Sequence, residues 1–219
     1  MVSSKVETRT TVKNKTDDKL NQVDRFKYLG VTVSKEGGFE QAVRARITAA
    51  WNKWRECSGV IYDRKIPRKL KVKIYTTVIR PVLLYGAEVW TTRKKEEKLM
   101  ETTEMRMLRR IKGVTLRDKQ KSDEIRKELG VCNIIKKVKE TRLRWFGHVE
   151  RMEEDCPARR VIGEEVPGRR GKGRPKKRWM DCIKEDMEEI GVRREEAQQR
   201  NNWRVKIRVT DPTPSGIAV

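Results

Sequence analysis

Apolar residues recur at helical spacing along most of the chain after position 38. Between positions 39 and 54 they are separated by three or four residues, so they fall on one stripe of a helix. The stripe consists of Phe39, Val43, Ile47, Ala50 and Trp54. Because basic residues occupy the other faces, the pattern predicts an amphipathic helix with a basic outer surface.

A second helix is predicted to begin at Pro67, because proline fits the first turn of a helix, where its missing amide has no partner to lose. Its inward positions are Leu70, Ile74, Val78 and Ile79. Pro81 is expected to break or kink this helix, since it lacks an amide donor and clashes with the preceding turn. The apolar segment that follows, VLLYGAEVW at 82–90, is expected to form the core of this region.

The same spacing predicts further helices at 94–111, 122–129, 133–152 and 179–190, with another at 195–203. Ser122 and Gly130 are candidate caps for the shortest of them. In the helix at 133–152, the predicted inner face consists of Ile134, Val138, Thr141, Trp145, Val149 and Met152.

Three segments outside the predicted helices have distinct residue compositions. RFKYLGVTVS at 25–34 is rich in aromatic and β-branched residues and is followed by Gly37-Gly38, which predicts a short strand or hairpin. Residues 163–178 contain glycine, proline and many cations, and predict an irregular basic linker. The end of the chain, DPTPSG at 211–216, is expected to be a frayed tail.

These patterns predict a mainly α fold, in which a short β-hairpin precedes a helical bundle and a basic helical extension. The expected segments are a hairpin region at 1–38, a three-helix bundle at 39–112, a basic extension at 113–162, a linker at 163–178 and C-terminal helices at 179–219.

The charge of the chain restricts the classes of partner that it is expected to bind. There are 54 Lys and Arg against 32 Asp and Glu, which gives a net charge of +22, and only 36% of residues are hydrophobic. Such an excess is typical of proteins that bind polyanions, with nucleic acid the first candidate and an anionic membrane the second. The low apolar fraction predicts a small core and apolar faces that cover a partner or another part of the same polypeptide.

The remaining composition excludes several other classes of protein. No run of 18 apolar residues occurs, so the sequence predicts no membrane-spanning helix. Of the two candidate polyanions, nucleic acid is the expected partner, and no membrane partner is expected. The four cysteines are scattered, which predicts free thiols in a reducing compartment, the nucleus or the cytoplasm. The one histidine, His148, has no cysteine at zinc-finger spacing and is interpreted as a helix residue.

Four blocks in order carry a resemblance to a known family. They are FKYLG at 26–30, RPVLLYGAEVW at 80–90, RLRWFGHV at 142–149 and GKGRPKKRW at 171–179. The first resembles the primer grip that follows the palm in reverse transcriptases of non-LTR retrotransposons. Together the blocks are most similar to the RTE group, whose polyprotein joins an endonuclease to a reverse transcriptase. The likeness extends over nearly the whole chain from about Phe26.

The resemblance also implies what this chain lacks. Such polymerases hold two Mg²⁺ ions with an early palm aspartate and a Y-x-D-D hairpin. The chain is expected to begin after that hairpin, with no cofactor of its own, Mg²⁺ only in a palm outside it, and no polymerase activity by itself. Asp17-Asp18 resembles the end of such a box, but its flanks are polar and it lies only eight residues before Phe26, so it is interpreted as a solvated loop.

By this resemblance the bundle at 39–112 would be the thumb, which holds duplex phosphates independently of sequence. The residues expected to contact nucleic acid are Lys27, Tyr28, Gly30, Arg44, Lys53, Lys136, Lys137, Arg142, Arg144, Arg169, Arg170, Lys172, Arg174, Lys176, Lys177 and Arg178. The expected partners are template RNA, an RNA–DNA hybrid or target DNA, together with the palm of a full-length enzyme.

Several alternatives stay open at this point. The strand at 26–30 could be an ordinary edge strand, and the GKGRP segment at 171–175 resembles either an AT-hook core or a plain basic linker. Trp145, Phe146 and Trp179 could stack on bases or fill the core. The function expected is nucleic-acid binding by a reverse transcriptase fragment. The alternatives are a domesticated host protein that binds DNA or chromatin, or a decayed element copy without a role.

Overall fold

The computed structural model describes residues 25–28, 31–34, 39–163 and 177–214. This part of the chain is mainly helical, as the apolar spacing predicts. Its α-helices are α1 (Glu40–Glu56), α2 (Ser58–Tyr62), α3 (Arg68–Ile74), α4 (Arg80–Leu84), α5 (Lys94–Lys112), α6 (Ser122–Leu129), α7 (Ile134–Glu150), α8 (Pro157–Gly163), α9 (Trp179–Ile190) and α10 (Arg200–Ile207).

The chain divides into two units, Met1–Gly38 and Phe39–Val219. In the first unit, strands β1 (Arg25–Tyr28) and β2 (Val31–Ser34) pair in antiparallel register, with Tyr28 opposite Val31. The interpretation of this segment as a primer grip stays a prediction.

Most predicted helix boundaries agree with the structure. The helices expected at 94–111, 122–129, 133–152 and 179–190 are found within two residues at each end. The helix expected at 195–203 is different, because a 3₁₀ segment at Arg194–Gln198 precedes α10. Ser122 makes no side-chain cap, whereas Gly130 ends α6 in the left-handed conformation that glycine adopts without strain.

Two clusters of buried apolar side chains hold the second unit together, and both include residues of α7. The larger cluster contains Trp54, Trp90 and Val138, and the smaller one contains Leu143 and Trp203. Helix α7 packs on α5 and also on α9 and α10. The described parts of the predicted segments 39–112, 113–162 and 179–219 belong to this one unit.

Pro81 does not end its helix, so the break is not found, whereas a kink was the other outcome predicted at this position. Helix α3 continues into a π-helical turn at Tyr75–Ile79 and then into α4, where Pro81 lies in the first turn. A wider turn before a proline accommodates the missing amide and the ring without breaking the helix. The extra residue of this turn also rotates the positions that follow it.

Three residues that were predicted to face inward are exposed in the structure. Leu70, Val78 and Trp145 are 45%, 38% and 36% exposed, whereas Tyr75 and Phe146 are fully buried. The π turn changes the helical period before Val78. Helix α7 contacts different neighbours along its length, so its buried face does not follow one stripe.

The segment expected to fray at 211–216 is anchored as far as the structure describes it. Asp211 accepts two hydrogen bonds from Arg80 and one from the amide of Cys132. Pro212 and Pro214 lie so close to Gly130 that an added Cβ there would be 2.7 Å from atoms of each proline. Sequence pattern alone could not show this anchor, because its two sides are 131 residues apart.

Candidate nucleic-acid interface

The predicted contact residues fall into three groups. Gly30 and the linker cations from Arg169 to Lys176 lie outside the described residues, and Lys27 and Tyr28 lie in β1. A second group is exposed or partly exposed and is paired with acids on its own helix. Arg44 contacts Glu40 at 2.9 Å, and Lys53 contacts Glu56 at 2.5 Å.

The cations of α7 and of the linker's end form the rest of the assignment. Lys136 is exposed, while Lys137 pairs with Glu140 at 2.9 Å. Arg144 is largely exposed and contacts Glu140 at 2.5 Å. At the start of α9, Lys177 pairs with Glu185 and Arg178 is the exposed N-cap residue.

Among the predicted contact residues whose side chains the structure describes, Arg142 is contradicted. Its side chain is buried and donates two hydrogen bonds to Asp186, at 2.7 and 3.0 Å, and one to the carbonyl of Trp90 at 2.9 Å. Burial raises the pKa of Asp186, and the Arg142 guanidinium opposes that rise. Arg142 therefore joins α7 to α9 inside the protein and is not available to a phosphate.

A basic surface that the sequence pattern did not predict lies between α1, α2 and the end of α5. It is a cleft of about 730 Å³, and we call it the aromatic–arginine cleft. Its lining residues are Trp51, Trp54, Arg55, Ser58, Tyr62, Arg106, Arg109, Arg110, Val114 and Thr115. No acidic residue is among them.

Helix α5 places its three arginines on this cleft. Arg106, Arg109 and Arg110 are spaced by three and four positions, so they share one face. The Arg110 guanidinium lies over the Trp51 ring at 5.1 Å from its centroid. Within the described part of the chain, Arg106 and Arg109 have no carboxylate within ion-pair distance. Two of the guanidinium groups that line the cleft thus have no ion-pair partner in this part of the chain.

The aromatic side of the cleft comes from α1 and α2. Trp54 is buried, and its indole Nε1 donates to the Tyr62 hydroxyl at 3.4 Å. Tyr62 is 54% exposed and its ring meets Trp54 edge-on at 6.5 Å between centroids. A buried tryptophan therefore holds an exposed aromatic ring at the edge of the arginine surface.

The basic surface continues beyond the cleft. An adjoining depression shares Tyr62 and Arg110 with it and adds cations from the loop after α2 and the start of α3, namely Arg64, Lys65, Arg68 and Lys71. Another shares Arg106 and Arg109 and adds Lys98, although Glu101 also lines it. The three depressions form one extended positive surface along α5.

A buried polar network fixes α5 beneath this surface. Glu104 accepts hydrogen bonds from Arg126 at 3.0 and 3.1 Å, from the Tyr75 hydroxyl at 3.2 Å and from the amide of Ile134 at 3.3 Å. Burial raises the pKa of Glu104, and the charge of Arg126 opposes that rise. The network joins α5 to α6, α7 and the π turn, so the arginine face of α5 has a fixed orientation.

The sequence carries a signal for this cleft, but the signal has a second explanation. Arg109 and Arg110 lie in the last turn of α5, where the helix dipole favours cations in any case. Their spacing with Arg106 would have indicated a basic face, but the aromatic partners come from a helix about 50 positions earlier. Only the packing of α1 on α5 brings them together.

Other classes of site find no support in the described residues. No group of three His, Cys, Asp or Glu side chains in this part could hold a metal ion. The four cysteines are free thiols, as the scattered spacing predicts. Among the helices that the structure describes, none is long and apolar enough to span a membrane.

A comparison with known proteins gives one informative similarity. An uncharacterized transposon-derived protein of Caenorhabditis elegans is 27% identical to this chain over 174 residues, which are 77% of this chain and 62% of the relative. The chain thus spans about three fifths of that protein's length. No family model matches the chain, and no solved structure matches it. The similarity points to an origin in a transposable element.

Proposed function

We propose that this chain is a non-catalytic nucleic-acid-binding segment of a retrotransposon reverse transcriptase, with the aromatic–arginine cleft as its main binding surface. The observation that carries the proposal is the face of Arg106, Arg109 and Arg110, which lies against aromatic rings with no acidic lining residue. The transposon-derived relative and the four sequence blocks support the assignment to such an element.

The chemistry of the cleft suits a sugar-phosphate backbone. Arginine presents a planar fork of donors that matches phosphate oxygens, and an arginine without a carboxylate partner needs no ion pair broken before it binds. An exposed ring such as Tyr62 offers a stacking surface for any base. Neither contact selects a base sequence, so we expect binding that tolerates any sequence.

The parent enzyme would use this surface to hold its template and primer. In the proposed role, α1 to α5 correspond to a thumb, whose helices grip a duplex through its phosphates. The palm that performs polymerisation would be supplied by other parts of the polypeptide. With Mg²⁺, nucleotides and a primed RNA template, we expect no extension above a heat-inactivated control. Extension abolished by Asp17→Ala and Asp18→Ala would contradict the proposal.

The binding role is tested with variants of matched charge. The full chain, the triple variant R106Q/R109Q/R110Q and the control K69Q/K94Q/K184Q would be titrated by fluorescence anisotropy against single-stranded RNA, an RNA–DNA hybrid and duplex DNA. The control removes the same charge from exposed lysines that do not line the cleft. We expect the cleft variant to lose clearly more affinity than the control on every probe. Equal losses would mean that only net charge matters and that the cleft is not the interface.

A further inference from the structure

A second basic cleft lies between α7 and α10, and no residue lines both clefts. Its volume is about 440 Å³, and we call it the α7–α10 cleft. The lining residues are Arg144, His148, Arg151, Met152, Arg200, Trp203 and Arg204. Four arginines and the histidine contribute to it, and no acidic residue does.

The packing of Trp203 builds this cleft. The indole of Trp203 is fully buried, and its Nε1 donates to the carbonyl of Leu143 at 3.0 Å. It lies against Gly147, where an added Cβ would be 2.3 Å from the indole nitrogen. A glycine in α7 thus allows α10 to approach closely. Arg200 and Arg204, one turn apart and beside Trp203, are thereby placed opposite the basic face of α7.

The arginines of this cleft differ in their partners. Arg144 is held by Glu140, and Arg151 donates to the carbonyl of Ala197 at 2.5 Å. In the part of the chain that the structure covers, Arg200 and Arg204 make no ion pair with a carboxylate. Burial, and then repulsion from Arg200, lower the pKa of Arg151. An anion between these groups would relieve that repulsion.

An aromatic pair borders the cleft on α7. The rings of Trp145 and His148 are 5.4 Å apart between centroids, and Trp145 is 36% exposed, although its position had predicted an inward side chain. The aromatic surface lies beside arginines that can donate hydrogen bonds to one phosphate. This arrangement suits a nucleotide, whose base and phosphate lie a few ångströms apart. The concave shape between two helices also suits a strand better than a flat membrane surface.

We infer that the α7–α10 cleft is a second contact for nucleic acid, in which Arg151, Arg200 and Arg204 bind a backbone phosphate and Trp145 stacks on an adjacent base. The inference takes its ligand class from the proposed function but concerns a different surface. A chain with two separate contacts would hold a longer stretch of strand than the aromatic–arginine cleft alone.

The test uses the full chain and a double variant, R200Q/R204Q, with K184Q/R208Q as a control of equal charge whose residues are exposed and outside both clefts. Circular dichroism and the melting temperature would confirm that each variant is folded. We expect R200Q/R204Q to flatten the dependence of log affinity on log salt by roughly 0.7 units on a 30-nucleotide single strand, since the two arginines share one phosphate and each phosphate contact on a single strand contributes about 0.7. The lysine variant R200K/R204K should retain most of the salt dependence, because it keeps the charge.

The outcomes separate this inference from the proposed function. If R106Q/R109Q/R110Q weakens binding and R200Q/R204Q behaves like K184Q/R208Q, the second contact is wrong and the first one stands. If only R200Q/R204Q weakens binding, the second contact stands without the first. If R200Q/R204Q releases the chain from phosphatidylserine vesicles and leaves affinity for the strand unchanged, the cleft serves a membrane and the inference is overturned. A loss of inorganic phosphate binding alone would overturn it as well.

Discussion

The guanidinium of Arg80 holds the carboxylate of Asp211 through two parallel hydrogen bonds, each 2.7 Å long. Asp211 also accepts the amide of Cys132 at 3.1 Å. Burial raises the pKa of the Cys132 thiol to about 12, so this neighbour stays uncharged. The pair joins the segment after α10 to the start of α4. It therefore connects the last described residues with a buried part of the helical unit.

Removing the carboxylate should destabilise the whole unit. Asp211→Asn leaves the largely buried Arg80 without its counter-charge, and we expect a loss of about 1–3 kcal/mol, below the range for a fully buried pair because Asp211 is partly exposed. The matched control is Asp155→Asn, which alters an exposed aspartate. Urea denaturation followed by circular dichroism measures both. Equal stability of the two variants would show that the anchor is dispensable.

The same pair predicts a dependence on pH. Burial raises the pKa of Asp211, but hydrogen bonds from Arg80 and Cys132 outweigh it and hold the pKa well below its usual range. A carboxyl whose folded pKa is depressed contributes stability above its unfolded pKa, about 3.9, and loses it as the pH falls towards the folded value. The difference in melting temperature between the parent and D211N should be constant from about pH 8 to 5 and narrow below about pH 4. Glu104 and Asp186, whose pKa values are raised, are present in both proteins and cancel in this difference. A gap that widens in acid would contradict the pairing.

Gly147 should tolerate no side chain. An alanine Cβ would lie 2.3 Å from the Trp203 indole nitrogen, so α10 must move away from α7, and overpacking of this kind costs about 1–3 kcal/mol. Gly59 in α2 is the control, because a Cβ there has no atom within 4 Å. G59A should be neutral or slightly stabilising, since alanine favours a helix. Thermal denaturation of G147A and G59A would decide the matter, and similar melting temperatures would be inconsistent with the close packing.

Arg142 should matter for stability and not for binding. Arg142→Met leaves Asp186 buried without its partner, and breaking a buried pair from one side costs about 3–5 kcal/mol. The double variant R142M/D186L removes both charges and should recover much of that loss. At temperatures where R142M is folded, its affinity for nucleic acid should change no more than that of K184Q. A large loss of affinity in the folded double variant would mean that Arg142 does contact nucleic acid.

The helices could be predicted from local pattern because each amphipathic stripe is encoded within its own segment. The boundaries of α5, α6, α7 and α9 therefore agree with the prediction from the local apolar pattern. What could not be predicted depends on contacts between distant segments. Arg142 sits in a basic run and looks exposed, yet α9 supplies Asp186 from 44 positions away. The arginines of α5 acquire their aromatic partners only when α1 packs against them.

The salt dependence of nucleic-acid affinity tests the central claim most directly. Log affinity of the parent chain for an RNA–DNA hybrid would be measured against log salt and compared with R106Q/R109Q/R110Q and with K69Q/K94Q/K184Q. Because each phosphate contact contributes about 0.9 to the slope on a duplex, we expect the cleft variant to be flatter than the parent by roughly 2–3 units and the control to change by less than about one. A cleft variant that keeps the parent's slope, or a parent chain whose affinity does not depend on salt, would contradict the assignment of this surface to nucleic acid.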